Sequence, residues 1–448
     1  MNLFIKIISA VLSLVLGFCS SVTPERKCEP KVTGTFVQSW MSEYWEDEEW
    51  DRQIKEMKDD GLDYLVLQSV AEKENGKWTV YYDSAIEEFK NAEYAGNDVI
   101  EKGLKACRKY DVKVFVGLAL HDNWWLQGGN TKEYQDVCKL TADMVKEIYG
   151  RFGDEYGDTL YGWYFTPEIG SNIICTSSIC AIADGINTVI EKINEVCPEK
   201  PFMLSPFMFE NSNLYMIRSV LPMWVKFFDK TNLRDGDIFC PQDSIGSNTG
   251  KIENAEKMWQ MYQKAVSTSD KDIKLWANCE NFTLAKNSQK GSGIFKEENT
   301  ESVTATLDRF VRQLDAASRY AENIITFSYN HYYSRYQCSN VFADTYNDYV
   351  ENGYELEKQA PAPVSDFTVT PDGGKKVLSW TAATDNIGIA YYRITVNGRF
   401  LVRVEATRDG IETVFVDSAV RPGKTVYTVT AFDGAGNASE SVSAVYGD

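Results

Sequence analysis

The chain predicts a (β/α)8 TIM barrel followed by a small all-β sandwich, and three features carry that expectation. Eight apolar, strand-like runs recur at residues 33–40, 62–70, 112–120, 161–168, 202–209, 237–243, 273–282 and 323–333. Amphipathic stretches separate them, among them residues 46–60, 98–110, 133–152 and 304–321. After residue 364 the helical periodicity stops and short alternating segments take over. Strands alternating with helices over this length specify a parallel barrel, whose functional groups stand at the C-terminal ends of its strands.

Taken in order, the run ends read Gln38-Ser39-Trp40, Gln68-Ser69, His121-Asp122, Pro167-Glu168, Gln242-Asp243, Cys279-Glu280-Asn281 and Asn330-His331-Tyr332. Both histidines of the chain fall in this set. Side chains alternate along a strand, so an inward Glu280 also turns Asn278 and Trp276 inward, while Ile273, Leu275, Ala277 and Cys279 face the helices. An inward Glu168 does the same for Gly162, Tyr164 and Thr166, with Trp163 and Phe165 outward. In the sixth run Pro241 leaves it open whether Gln242 or Asp243 points in.

At 448 residues the chain fits a barrel plus one small module, and its 44% hydrophobic content suits a large core. A formal net charge of −19 argues against nucleic acid or an anionic membrane surface as partner. Residues 1–21 carry Lys6, a short apolar core and small residues Ser20 and Ser21, the pattern of a secretory signal peptide. That core is too short for a membrane span, and an extracellular or surface-held protein is expected. Phe18 departs from the small residue a lipoprotein cleavage box wants, which disfavours a lipid anchor at Cys19. Of the ten cysteines, Cys175 and Cys180 form the most plausible local disulfide, whereas Cys240 and Cys279 fall within strands and read as buried thiols.

The barrel is expected over residues 31–352, a linker over 353–364 and the sandwich over 365–448. The linker carries Pro361 and Pro363 without periodicity. Beyond it come Leu378-Ser379-Trp380, Thr384-Asp385-Asn386-Ile387-Gly388, Tyr392-Arg393-Ile394-Thr395-Val396-Asn397-Gly398 and Tyr427 through Asp433-Gly434-Ala435-Gly436-Asn437. These resemble a fibronectin type III module of the kind appended to bacterial polysaccharide-degrading enzymes. In that resemblance Trp380 and Tyr427 are core residues, and the module is a spacer or adhesion unit without chemistry.

Two carboxyls flanking a bound sugar are the minimum equipment for hydrolysing a glycosidic bond, one protonating the leaving oxygen and the other attacking or activating water. Carboxylates closing the fourth and seventh strands resemble the retaining-glycosidase clan of TIM barrels. That resemblance makes Glu168 the acid/base and Glu280 the nucleophile, although Thr166-Pro167 stands where the clan has an asparagine before its acid/base. The stretches Thr33-Gly34-Thr35-Phe36-Val37-Gln38, Gly61-Leu62-Asp63-Tyr64-Leu65-Val66-Leu67-Gln68, Gly162-Trp163-Tyr164-Phe165-Thr166-Pro167-Glu168, Pro241-Gln242-Asp243-Ser244-Ile245-Gly246 and Leu275-Trp276-Ala277-Asn278-Cys279-Glu280 are similar to a family of secreted bacterial glycosidase-like barrels of unknown function.

Around the carboxyls, Gln68, His121, Asp243, Asn278, Asn330 and His331 are expected to contact sugar hydroxyls. Trp40, Trp124 and Tyr332 offer flat apolar faces for pyranose rings. The expected ligand is a neutral carbohydrate, with no cofactor and no metal. The first strand lacks a His-x-His pair, no phosphate loop follows it, and no Gly-x-Ser-x-Gly elbow is present. The competing reading is a non-catalytic glycan-binding or adhesion protein, which needs the aromatic faces but not the paired carboxyls.

Overall fold

The computed structural model describes residues 24–94, 96–121, 131–170, 178–208, 214–286, 288–290, 300–421 and 423–447. The expected signal peptide, Cys19, Trp124 and Cys175 lie outside the described residues, and with Cys175 the 175–180 disulfide. Eight parallel strands close a barrel in sequential order. They are β1 (Gly34–Val37), β2 (Tyr64–Leu67), β3 (Lys113–Gly117), β4 (Leu160–Phe165), β5 (Phe202–Leu204), β6 (Ile238–Phe239), β7 (Lys274–Glu280) and β8 (Asn323–Phe327). Around them lie α1 (Asp47–Asp59), α2 (Val99–Tyr110), α3 (Lys132–Tyr156), α4 (Ile179–Val196), α5 (Leu214–Lys230), α6 (Ala255–Val266), α7 (Leu307–Ser318) and α8 (Val341–Glu351). Among the described residues no helix is long and apolar enough to cross a membrane.

The period-2 pattern of the strands sorts two apolar populations. Phe36, Val66, Phe115, Tyr164, Met203, Ile238, Trp276 and Ile325 pack inside the barrel. Trp163, Phe165, Leu275, Ala277 and Cys279 pack outward against the helices. The barrel floor is thus solid with aromatic rings. Cys240 and Cys279 are buried free thiols, as the sequence suggests.

Local signals start and stop the helices. Asp98 caps α2 by accepting the Glu101 N–H at 2.9 Å, and Thr131 caps α3 by accepting the Tyr134 N–H at 3.1 Å. Asp111 ends α2 in the left-handed region, at φ 52°.

The strands are shorter than the apolar runs, because the runs continue into structured rim segments. Past β1 and β8 the chain turns into single helical turns at Ser39–Ser42 and Tyr329–Tyr332. His121 ends a separate strand, Ala119–His121, which joins a small sheet with Ala71–Glu74, Lys77–Val80 and Glu93–Tyr94. The sequence reading missed this sheet. Its signal was Asn75-Gly76, at φ 51° and 78°, the dipeptide that two-residue hairpin turns favour.

Beyond the barrel, β9 (Ser365–Asp372), β10 (Lys375–Thr381) and β13 (Val414–Asp417) form one antiparallel sheet. The second contains β11 (Ile389–Val396), β12 (Arg399–Thr407), β14 (Thr425–Asp433) and β15 (Val442–Tyr446). Leu378, Trp380, Ile394, Val402, Phe415, Tyr427 and Val429 fill the space between them.

Barrel closure requires close backbone approach at Gly117, where a Cβ would overlap the carbonyl oxygens of Leu67 and Gln68. Gly117→Val should therefore cost more than about 3 kcal/mol in thermal or denaturant unfolding. Gly150, exposed within α3 with nothing near its Cβ position, provides the contrast. Gly150→Ala should stabilise by roughly 0.5–1 kcal/mol.

Candidate active site

Glu280 is the last residue of β7 and pairs in register with Phe327 of β8. It is 4% exposed, and Ser247 donates its backbone N–H to Oε2 at 2.8 Å. That approach needs Gly246, where a Cβ would lie 2.9 Å from Glu280 Cβ and 2.5 Å from Phe282 O. Burial raises the Glu280 carboxyl above the usual range, and the charge of Asp243 raises it further. The Ser247 N–H and the Arg309 guanidinium pull in the opposite direction, and Glu168 adds a smaller upward push. The two carboxyls are thus close enough to sense each other across the rim.

Glu168 stands three residues past β4 and keeps partial exposure. Burial pushes its carboxyl up to about 7, against a hydrogen bond from the Gln242 side chain. The Gln242 Nε2 also donates to Ser205 O at 3.3 Å, and the Asn278 Nδ2 donates to Ser205 Oγ at 3.3 Å. Glu168, Gln242, Ser205 and Asn278 thus form one polar layer over the buried ring of Tyr164, whose hydroxyl is raised by burial and by the charge of Glu168.

The ambiguity at Gln242-Asp243 resolves in favour of Gln242 as the residue beside Glu168. Asp243 has no exposed surface. Its Oδ1 accepts from the backbone of Ile245 at 3.0 Å and Glu280 at 3.4 Å, and its Oδ2 accepts from Gln313 Nε2 at 2.5 Å. It lies under Glu280, and burial raises its carboxyl too.

Two residues of α7 complete this underside and were not found from sequence. Gln313 also donates to Glu280 O at 3.1 Å, while Arg309 Nη2 donates to Glu280 O at 3.3 Å and Phe282 O at 2.5 Å. The available signal was a glutamine, Gln313, standing within the apolar stripe of Leu307, Phe310, Leu314 and Ala317.

Other expected contacts surround the rim. Asn330 bonds both backbone groups of Gln38, accepting its N–H at 3.1 Å and donating to its carbonyl at 3.4 Å. The half-exposed Trp40 ring lies 5.7 Å from that of His331, whose Nδ1 is 3.0 Å from Ser328 Oγ. Tyr332 stacks on Phe282 at 5.3 Å, continuing an aromatic wall. His121, 3% exposed, faces Glu133 at 3.9 Å from the small sheet. The acceptor atoms Gln38 Oε1, Gln68 Oε1, Thr166 Oγ1 and Asn278 Oδ1 are buried with no protein donor among the described residues. Among the same residues no group of three or more His, Cys, Asp or Glu side chains is arranged to hold a metal.

Residues 32–339 match the family described as a domain of unknown function, DUF4434, and the chain belongs to that family. No curated protein matches. A solved structure described as a candidate alpha-L-fucosidase from Bacteroides thetaiotaomicron is similar at a TM-score of 0.57 and 20% identity, over 73% of this chain and 94% of that one. It shares the barrel fold. The endo-beta-1,4-mannanase of Thermotoga petrophila is more remote, at a TM-score of 0.45 and 11% identity over 93% and 97% of the two chains.

A raised carboxyl pKa has a thermodynamic signature. Folded Glu168 holds its proton up to about 7, whereas an unfolded glutamate releases it near 4.5. Its contribution therefore worsens as pH rises through that window. Glu168→Gln should match wild type below about pH 4.5 and exceed it by roughly 1–3 kcal/mol above pH 7, read from unfolding at a series of pH values. Equal pH slopes for the two proteins would contradict the assignment.

Proposed function

We propose that the chain is a glycoside hydrolase acting on a neutral poly- or oligosaccharide, with Glu168 as proton donor and Glu280 as nucleophile or base. The observation that carries this reading is the placement of two carboxyls on one barrel rim, Glu280 at the end of β7 and Glu168 three residues past β4 beside the Gln242–Ser205–Asn278 layer. Both are raised by burial, and the charge of Glu168 is felt at Glu280. Such a pair shares its protons. Deprotonating one carboxyl makes it harder to deprotonate the other, so a singly protonated form extends through neutral pH. That form supplies what glycosidic cleavage needs: an acid for the leaving oxygen and an anion for the anomeric carbon or its attacking water.

The acid role goes to Glu168 because its partial exposure lets a substrate oxygen reach it. The anionic role goes to Glu280 by the likeness to the retaining clan, and the Ser247 N–H and Arg309 favour its charged form. Burial and Asp243 still hold its proton up to about 8, above the value of about 7 for Glu168. The role therefore requires the bound substrate to leave the shared proton on Glu168. Retention is favoured over inversion by the resemblance to the retaining clan. The acceptors of Gln68, Thr166 and Asn278 suit sugar hydroxyls, which donate hydrogen bonds, and Trp40 beside His331 offers a face for a ring. Export through the leader-like residues 1–21, and a C-terminal module of the fibronectin type III kind, fit an enzyme that meets polymeric glycans outside the cell.

The test is product release from a panel of neutral plant, fungal and host glycans by wild type, Glu168→Gln and Glu280→Gln. Each variant should lose about 10²–10⁴-fold or more in kcat while remaining folded. Wild-type activity should fall on the alkaline side, where the shared proton is lost. Full activity in either variant would remove that residue from its role. Glycan binding without hydrolysis in all three proteins would favour the adhesion reading.

A further inference from the structure

The chain that leaves Glu280 does not return directly to α7. Phe282–Lys286 pairs antiparallel with Thr300–Thr304, and between them Ser288–Lys290 joins the C-terminal sandwich. There it runs parallel to β12, with Ser288 opposite Arg403 and Lys290 opposite Glu405. The loop that starts at the proposed nucleophile is therefore a strand of the sandwich's own sheet.

A second set of contacts reaches α7 itself. Leu307, the first residue of α7, donates its backbone N–H to Gly434 O at 2.8 Å, so the sandwich satisfies a donor that a helix start leaves open. Gly434 touches α8 so closely that a Cβ would overlap Thr345 Oγ1 and lie 2.9 Å from Val341 Cγ1. A Cβ on Gly388 would lie 2.9 Å from Val341 Cγ2, and one on Gly436 2.8 Å from Asp308 Oδ1. The cavity left at this join measures about 40 Å³. Asn437 Nδ2 then ties the connecting segment down, donating to Glu357 O at 3.3 Å and Oε1 at 3.0 Å. The motifs that mark the module in the sequence, Asp385 to Gly388 and Asp433 to Asn437, are thus the surface that meets the barrel.

We infer that the C-terminal sandwich is a positioning element of the Glu280 site, holding both the loop after Glu280 and the first turn of α7. Two residues later that helix presents Arg309, and one turn beyond it Gln313, the side chains that fix the Glu280 carbonyl and Asp243. The kinetic consequence rests on the catalytic reading of Glu280, whereas the structural one does not.

The experiment is hydrogen exchange on the full chain, comparing wild type, Gly434→Val and the double variant Gly434→Ala/Thr345→Ala. Gly434 does not occupy the left-handed region, so alanine strains no backbone there. Gly434→Val should exchange at least about tenfold faster at residues 282–286 and 305–313, with α2 and α3 unchanged as internal evidence of a folded barrel. The double variant, which removes the hydroxyl that meets the new methyl but keeps Val341 Cγ1 at 2.9 Å, should regain part of that protection. On any glycan the wild type hydrolyses, Gly434→Val should lose on the order of 10–100-fold in kcat, with a smaller change in KM. Unchanged exchange at 282–286 and 305–313 in Gly434→Val overturns the inference, as does full kcat in a variant whose protection is lost. The exchange arm needs no substrate, so a chain without glycosidase activity still tests the brace.

Discussion

One buried carboxylate organises the rim. Asp243 has no exposed surface, and a charge in that position costs several kcal/mol unless donors and a countercharge surround it. Here the donors are the backbone of Ile245 and Glu280 and the amide of Gln313, with Arg309 alongside. Each fixes something functional in return. The Glu280 N–H sets the end of β7, the Ile245 N–H sets the turn that brings Ser247 to the Glu280 carboxylate, and Gln313 links β7 to α7. Removing one donor would leave the others around an unpaired buried group, the costly case for polar networks.

Burial, and after it the same carboxylate, explains why Glu280 holds its proton more tightly than a solvent-exposed glutamate. Two carboxyls in one desolvated space resist ionising together, and a third, Glu168, lies close enough to contribute. The barrel supplies the dry surroundings. Its interior below the rim is packed with Phe36, Phe115, Tyr164 and Trp276, which closes that side of the carboxyls to water. Polar atoms are then presented in one layer, on strands that cannot shift independently.

The sandwich extends that rigidity. A module joined by a free linker leaves its partner's energetics alone, but this one shares a strand pairing with the loop after Glu280 and accepts a hydrogen bond from the start of α7. Contacts made through glycines are intolerant, because a single added methyl meets another side chain rather than solvent. The junction therefore behaves as packed core rather than as a hinge.

The sequence by itself determined the alternation of strands and helices, and with it the barrel, because hydrophobic period is a local property each segment carries wherever it packs. It also determined that Glu168 and Glu280 close the fourth and seventh runs, and that Trp276 and Asn278 share a face with Glu280. Strand ends were less legible: runs 33–40 and 323–333 continue past their strands into helical turns, and in the second the burial of Tyr329 and Tyr332, not strand pairing, keeps the text apolar. Tertiary structure alone decided between Gln242 and Asp243, since past β6 the register is set by the isolated pairing of Gln242 with Asn278 and by the Gln242 N–H donating to Pro206 O, contacts between segments far apart in the chain. It alone brought Arg309 and Gln313 beneath Glu280, about thirty residues along the chain, and it alone turned a fibronectin-like signature into a docking surface. Those contacts depend on which distant surfaces meet, and no local pattern encodes that.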